Sequence, residues 1–478
     1  SLSVLLNSCD DFLKEEPLDM KSSDQFWKTK ADAESGVNAL YFGGVPYLHN
    51  TDVGGGWTPK ATMWGGIVSG LYVDKRKDRT FTTASEGCNF NIESFDDIAM
   101  KYWHEFYKGI SRANFVIANI PTMTGVLDEA TINNYVAQGK FFRAYGYFWL
   151  VKEFGGVPYI SEPYTSTEGM YKERLSAEEV YKKIEADLLD IVNGDALPNK
   201  TFYENGCYVT RAMAQTLLAQ VYLQWAGAPL NGGADYYGKA AQMALKVIND
   251  SPHELIHPNG TTDDLNSAYN VIKTTKESAE IIYAKEYNYT NYSVGNSYAC
   301  RSIGTDAFQW GVFHPGGDVL YNAYLPCDML LNSYASNDIR GHEKQFFFKQ
   351  YTDAEGKTYT LNNAGNWAWF DENALISGHD GDYNMPVFRF AEVLLIAAEG
   401  LARTNHEDNA VGGAKYYLNQ VRKRAGLADE TATGNDLIQS ILTERLHELP
   451  LEFKIWDDIR RTRLYPEAST ESGKLKWT

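Results

Sequence analysis

Apolar residues recur at steps of three and four from Ile132 to Trp149, through Tyr135, Val136, Gly139, Phe142, Tyr145 and Gly146, which is one face of a helix. Asp128 stands where an N-cap belongs, and Gly155-Gly156-Val157-Pro158 ends the run. A second helix opens at Ser176-Ala177-Glu178-Glu179, a capping box whose Glu reaches back to the Ser amide, and continues to about Asn193. These two form a helical hairpin. Thr210 to Ala226 and Ala234 to Asp250 form the next pair, joined across Gly227 to Gly233. Further helical stretches lie at Asp32 to Tyr47, Phe95 to Ile120, Phe388 to Asn405 and Ala410 to Ala425, which makes about four pairs.

Leu218-Ala219 with Tyr222, then Tyr237 with Ala240, resembles the small-large pattern of tetratricopeptide (TPR) helices, where small residues let neighbours approach. A pair this short cannot bury its own apolar face, so several must stack. Between the third and fourth pairs the periodicity stops. Residues 255–385 are dominated by Gly, Asn, Tyr and Trp, with a strand predicted at Glu280 to Ala284 and a hairpin at Tyr351 to Tyr359. Residues 49–94 share this texture, with Gly54-Gly55-Gly56-Trp57 and Trp64-Gly65-Gly66. The expected architecture is mainly α: a TPR-like helical-hairpin scaffold over about 32–48, 95–254 and 386–464. The loop-rich, minor-β segments 49–94 and 255–385 carry the ligand site, all within one domain from residue 9 to residue 478.

Charge narrows the function. A formal net charge of -18 over 478 residues excludes a nucleic-acid partner, because phosphate backbones are held by clustered Lys and Arg. Tyrosine and tryptophan, 32 and 11 against 22 Phe, favour rings with polar tips. At the start, Leu6-Asn7-Ser8-Cys9 resembles a bacterial lipobox, so residues 1–8 read as a signal-peptide remnant and Cys9 as the lipidation site. Asp10 and Asp11 resemble the acidic export signal of surface lipoproteins of the Bacteroidetes. Cys88, Cys207, Cys300 and Cys327 are too sparse for a disulfide framework; one pair could be oxidised outside the cell, and the sequence does not say which.

The C-terminal third carries ordered blocks: Phe388-Arg389 with Glu392 and Glu399, Leu418-Asn419 with Arg422, Arg424 and Gly426, Glu444-Arg445 with Glu448, and Trp456-Asp457 with Arg460-Arg461. They resemble the signature of the RagB/SusD family, and Arg143-Ala144-Tyr145 with Phe154 to Pro158 resembles its earlier block. The resemblance implies a TPR-like scaffold and a lipid anchor on the extracellular face of the outer membrane. It also implies a place as the lid of a SusC-like TonB-dependent transporter. Arg389, Glu392, Arg422, Glu444, Arg445 and Glu448 are expected to hold helices together in pairs, since each buried singly would cost several kcal/mol. One departure stands out: the family's Pro-Ile-Pro-like motif and Asn-Pro-rich tail are missing after Arg461, so the tail is either reduced or cut off.

His253-Glu254-Leu255-Ile256-His257, with Gly260 and Asp263, spells a zinc-protease motif in which His253, His257 and Asp263 would ligate metal and Glu254 would act as base. Pro252 and Pro258 leave barely one helical turn, too little to hold two imidazoles on one face. Asp380, Asp382 and Asn384 begin like a calcium loop, but Met385 and Ala391 stand where its Gly and Glu belong. No G-x-S-x-G, phosphate loop or dinucleotide fingerprint occurs. The expectation is a binding protein without catalytic residues, cofactor or metal.

Sugars present apolar C–H faces and rings of hydroxyls, which suit aromatic platforms flanked by planar polar groups. The candidate ligand residues are Trp57, Trp64 and Tyr72 with Asn50, Asp52, Asp74 and Arg76, then Tyr289, Tyr292, Arg301, Trp310 and Trp367. The expected function is capture of an oligo- or polysaccharide at the cell surface and its delivery to the transporter. A peptide-binding import lid or a TPR-type interaction scaffold is the competing reading.

Overall fold

The computed structural model describes residues 26–42, 61–73, 97–164, 171–257, 260–299, 302–314 and 324–478. Its longer helices are α1 (Lys30–Asn38), α2 (Ala61–Val68), α3 (Asp97–Asn119), α4 (Glu129–Phe154), α5 (Ala177–Asn193), α6 (Arg211–Ala226), α7 (Gly233–Asp250), α8 (Phe390–Ala402), α9 (Ala414–Arg424), α10 (Gly434–Glu448) and α11 (Ile455–Thr462). From α3 to α9 each helix packs on the next, the stacked series that the hairpin pattern predicts. The caps follow the sequence. Asp128 accepts from the Thr131 amide, and Ser176 and Glu179 close both halves of their box. Gly155, at φ 68°, ends α4 in a conformation that side chains resist.

Two helices are buried more completely than their patterns suggest. Only one face of α4 reads as apolar, yet from Ala137 to Leu150 nearly every residue is buried, because α3 and α5 flank it and Phe388 meets Tyr145. All thirteen residues of α8 are buried, including Glu392 and Glu399. Its contact with α7 depends on small residues: a Cβ on Gly400 would lie 2.5 Å from the Tyr237 carbonyl oxygen and 2.9 Å from the Ala241 Cβ.

Although 139 residues separate α7 from α8, the two pack directly, so the segment between them is an insertion looped out of an uninterrupted stack. Its ends are tied by antiparallel pairing of β2 (Ile281–Lys285) with β6 (Met385–Arg389). Inside it, β4 (Phe347–Thr352) and β5 (Thr358–Asn366) form the expected hairpin over a second apolar core of Ile303, Ala307, Phe313, Phe348, Tyr351, Leu361, Phe370 and Leu375. Pairing of β1 (Tyr72–Val73) with β3 (Leu325–Pro326) joins the first loop-rich segment to this insertion. Past α11 the chain folds back as β7 (Pro466–Ala468) and β8 (Leu475–Trp477), and the Trp477 indole donates to Thr443 on α10 at 3.1 Å.

The expected signature pairs are present, with partners that no local pattern reveals. Arg389 reaches Glu280 at 2.6 Å, Glu448 at 3.1 Å and Glu452 at 2.7 Å. Arg424 bonds Glu448 at 2.5 Å and also Glu280, while Arg340 bonds Asp338, Glu444 and Glu448. Arg422 completes the group on Glu444. Burial pushes the Glu448 carboxyl up, but Arg424, Arg389 and Arg340 outweigh it and hold it low. A second lattice joins α11 to α8 and α10: Arg461 grips Glu399 through both oxygens at 2.7 and 2.6 Å, and Asp458 takes Arg445 at 2.9 Å. Glu392 pairs with Lys454 at 3.0 Å. Glu280, Asp338 and Arg340 all belong to the insertion, so the larger lattice anchors it to α9 and α10.

Candidate ligand-binding surface

The insertion raises aromatic rings on its hairpin. Trp310, half-buried, stacks on Tyr359 with centroids 4.8 Å apart and planes 19° apart, and lies nearly parallel to Tyr351 at 6.3 Å. Each phenol is anchored: Tyr359 donates to Asp353 at 3.0 Å, and Tyr351 donates to Glu372. Burial, and then the Glu372 carboxylate, push the Tyr351 phenol well above its usual range, so it stays a donor. The exposed Lys357 lies 4.5 Å over the Tyr359 ring and supplies an ammonium beside the stack.

Phe313 and Phe370 connect this stack to Trp367, which lies parallel to Phe370 at 5.0 Å. The Trp367 N–H donates to Asn270 Oδ1 at 2.7 Å. Nearby, Tyr289 stacks on His379 at 4.3 Å, and Tyr292, 76% exposed, ends the same short turn. Asp382 fixes that turn by accepting from the Tyr289 and Thr290 amides at 2.5 and 3.2 Å.

Tyr72 is a correction. It is 1% exposed, stacked on Tyr324 at 4.1 Å, and its hydroxyl donates to the Pro450 carbonyl, so it is a core ring that no ligand reaches. Trp64 belongs to α2 rather than to a loop. Gly65 and Gly66 read as loop formers, yet they let α2 lie against Trp456 and Tyr324, where a Cβ would collide. Of Trp64 only the backbone is described, and Asn50, Asp52, Trp57, Asp74, Arg76, Arg301, Cys9, Cys88 and Cys300 lie outside the described residues. Cys207 and Cys327 are free thiols.

The metal spellings do not assemble. Residues 253–257 form no helix: His253 is buried with Nδ1 2.8 Å from the Ala279 carbonyl oxygen, while His257 is exposed. Asp263 is turned to His342 at 2.9 Å. Asp382 is taken up by backbone amides, and the Asn384 oxygen accepts from the Tyr287 amide at 3.0 Å. Tyr351, Tyr359, Lys273 and Asn270 are residues beside the candidate rings that the sequence leaves unmarked, since their positions follow from hairpin register and long-range packing. An aromatic groove of about 450 Å³ on the scaffold, lined by Trp103, Tyr107 and Tyr171, is equally unanticipated.

Known proteins share this fold. The profile of the SusD family matches residues 283–474, and a family described as starch-binding associating with outer membrane matches residues 67–223. Among curated relatives, a SusD-like protein of Formosa agariphila is 27% identical over 99% of this chain and 91% of its own length. A second from the same organism is 26% identical over 97% and 89%. The crystal structure of a SusD superfamily protein from Parabacteroides distasonis superposes with a TM-score of 0.80 at 25% identity, covering 94% of this chain and 91% of that one. Surface glycan-binding protein A of Bacteroides thetaiotaomicron, solved with laminarihexaose, shares the fold at a TM-score of 0.68 and 22% identity, over 91% and 90%. With both halves of the sequence matched by these profiles and the stacked-helix fold common to the solved structures, the chain belongs to the SusD/RagB family.

Proposed function

We propose that this protein is a cell-surface lipoprotein that binds an oligo- or polysaccharide through the rings of its insertion and delivers it to a SusC-like TonB-dependent transporter. The observation that carries the reading is the anchored stack of Trp310 on Tyr359, a flat aromatic platform with the Lys357 ammonium at its side. Such a platform suits the C–H face of a pyranose, with its hydroxyls left to polar neighbours. Relatives solved with laminarihexaose and with a xylogluco-oligosaccharide support the ligand class. Tyr292, Tyr289 and Trp367 extend the proposed surface, and Trp57, Trp64, Asn50, Asp52, Asp74, Arg76 and Arg301 remain proposed contacts. The protein acts by binding, not by catalysis. Lipidation at Cys9 would hold it to the outer face of the membrane.

Affinity gels cast with laminarin, xyloglucan or starch test the reading. Retardation on at least one, reduced tenfold or more in Trp310→Ala and Tyr359→Ala with unchanged circular dichroism, is the expected result. Mobility unaltered by every glycan, or retardation indifferent to both substitutions, would refute it.

A further inference from the structure

Trp367 is held by two side chains of one short helix, Ala268–Thr274. Asn270 accepts its N–H, and one turn later Lys273 Nζ lies 4.1 Å over the indole centroid. Asn270 has little freedom: it is 3% exposed, its amide donates to the Ser267 cap at 3.2 Å, and its Nδ2 donates to the Lys344 carbonyl at 2.9 Å. The same ammonium stands 5.2 Å from the Tyr383 centroid and 5.7 Å from that of Phe370. Three rings around one amine attract it as a cation, yet they replace only part of the water it gives up. Burial therefore pulls Lys273 down to about 7, with Asp371 and Glu372 opposing.

We propose that Lys273 is a positioning residue for ligand binding: its ammonium clamps the Trp367 indole in the orientation that meets the glycan, and the clamp is released when the amine loses its proton. This rests on the reading of Trp367 as a ligand-contacting ring. Several charged or titratable groups face the amine from other elements. Asp371 and Glu372 stand at the start of the 372–377 helix, and Tyr383 precedes β6. Lys344, ahead of β4, lies 5.4 Å from the Trp367 centroid. Arg389 and Glu452 lie across the small cavity that Lys273 also lines. None of these is altered in Lys273→Arg, which keeps a cation at every accessible pH. The clamp is closed below about pH 7 and opens as the pH rises through that value.

Tryptophan fluorescence of the ligand-free protein, titrated from pH 5.5 to 9, tests the clamp without any glycan. A step near pH 7 is expected in the wild type and absent in Trp367→Phe, Lys273→Arg and Lys273→Met. Affinity gels in laminarin then read the consequence: retention weakens about fivefold from pH 6 to pH 8.5 in the wild type and stays level in Lys273→Arg. A fluorescence step that persists in Lys273→Arg, or none in the wild type, overturns the clamp. A step that behaves as expected in the wild type and in all three variants, combined with laminarin retention in Trp367→Phe as strong as a measurable wild-type retention, overturns instead the assignment of Trp367 to the ligand surface.

Discussion

Arg424→Met removes one cation from the lattice that fastens the insertion to the helical stack while preserving its apolar stem. Arg424 is fully buried and bonds Glu280, ahead of β2, and Glu448 on α10, at 2.5 Å to the latter. Around it, Glu280, Asp338, Glu444, Glu448 and Glu452 face Arg340, Arg389, Arg422 and Arg424, so five carboxylates meet four guanidiniums. The substitution leaves five against three. Breaking a buried pair from one side typically costs about 3–5 kcal/mol, because the remaining charge stays desolvated without its partner. At a urea m value of about 3 kcal/mol/M, the unfolding midpoint should fall by about 1–1.7 M. The deficit carries a pH signature. With Arg424 gone, Glu448 loses the first of the three guanidiniums that hold its carboxyl low and takes up its proton more readily in the folded chain, so the loss narrows as the pH falls into the carboxylate range. Glu448→Gln in the same chain, which discards one excess negative charge, should recover a third or more of the loss. A deficit below about 1 kcal/mol, or one that is constant with pH and additive with Glu448→Gln, would refute the reasoning.

Acid should unfold the wild type in stages. Burial, then Arg340, hold His447 near pKa 3, so between pH 6.5 and 3 the folded chain binds fewer protons than the unfolded one and loses up to about 4–5 kcal/mol as the pH falls. Glu399 is pushed up by burial but held at about 2 by Arg461 and Arg403, and it adds a further loss from pH 4.5 downward. Melting temperatures that stay level from pH 7 to 4 would contradict the His447 reading, and ones that stay level from pH 4 to 2 would contradict that of Glu399. Gly400→Ala should cost about 1–3 kcal/mol by forcing α7 from α8, and an unchanged denaturation midpoint would show that the crossing has slack. Tyr72→Phe should cost about 1–2 kcal/mol through the unpaired Pro450 carbonyl while leaving glycan retention as it was; weaker retention would return Tyr72 to the ligand surface.

Local signals carried the scaffold well. Caps at Asp128 and Ser176, the β2 strand and the β4–β5 hairpin follow from residues within a few positions of each other, and so do the helices of the stack. What the sequence concealed depends on distant partners. A pattern of glycines is the same whether it forms a loop or admits a helix to a crowded site, and only Trp456 and Tyr324 decide that for Gly65 and Gly66. The signature charges are recognisable as needing partners, but Glu280 and Arg340 lie in a segment without periodicity, a hundred residues or more along the chain from Arg389, Arg424 and Glu444, which they meet. Ring stacks obey the same limit. Trp310 stands out by composition, whereas Tyr359 becomes its neighbour only through the register of a hairpin that starts 37 residues later.

The two kinds of contact under the insertion do different work. Apolar burial in its second core supplies cohesion but is tolerant of direction, since dispersion and water exclusion change little with small rotations. Guanidinium–carboxylate pairs are directional: across the seam Arg340 meets Glu444 on α10 at 2.6 Å and Arg424 on α9 meets Glu280, and a rotation that breaks either leaves a buried charge without its partner, at the full cost of its desolvation. An insertion held only by its apolar core could therefore rock on the stack. One that is pinned through Glu280 and Arg340 keeps the Trp310 platform and the Trp367 indole in a fixed relation to the helices. For a surface proposed to seize a flexible sugar chain with a few rings, that fixity is where affinity would come from, because each ring already held in place has no ordering cost left to meet when ligand arrives.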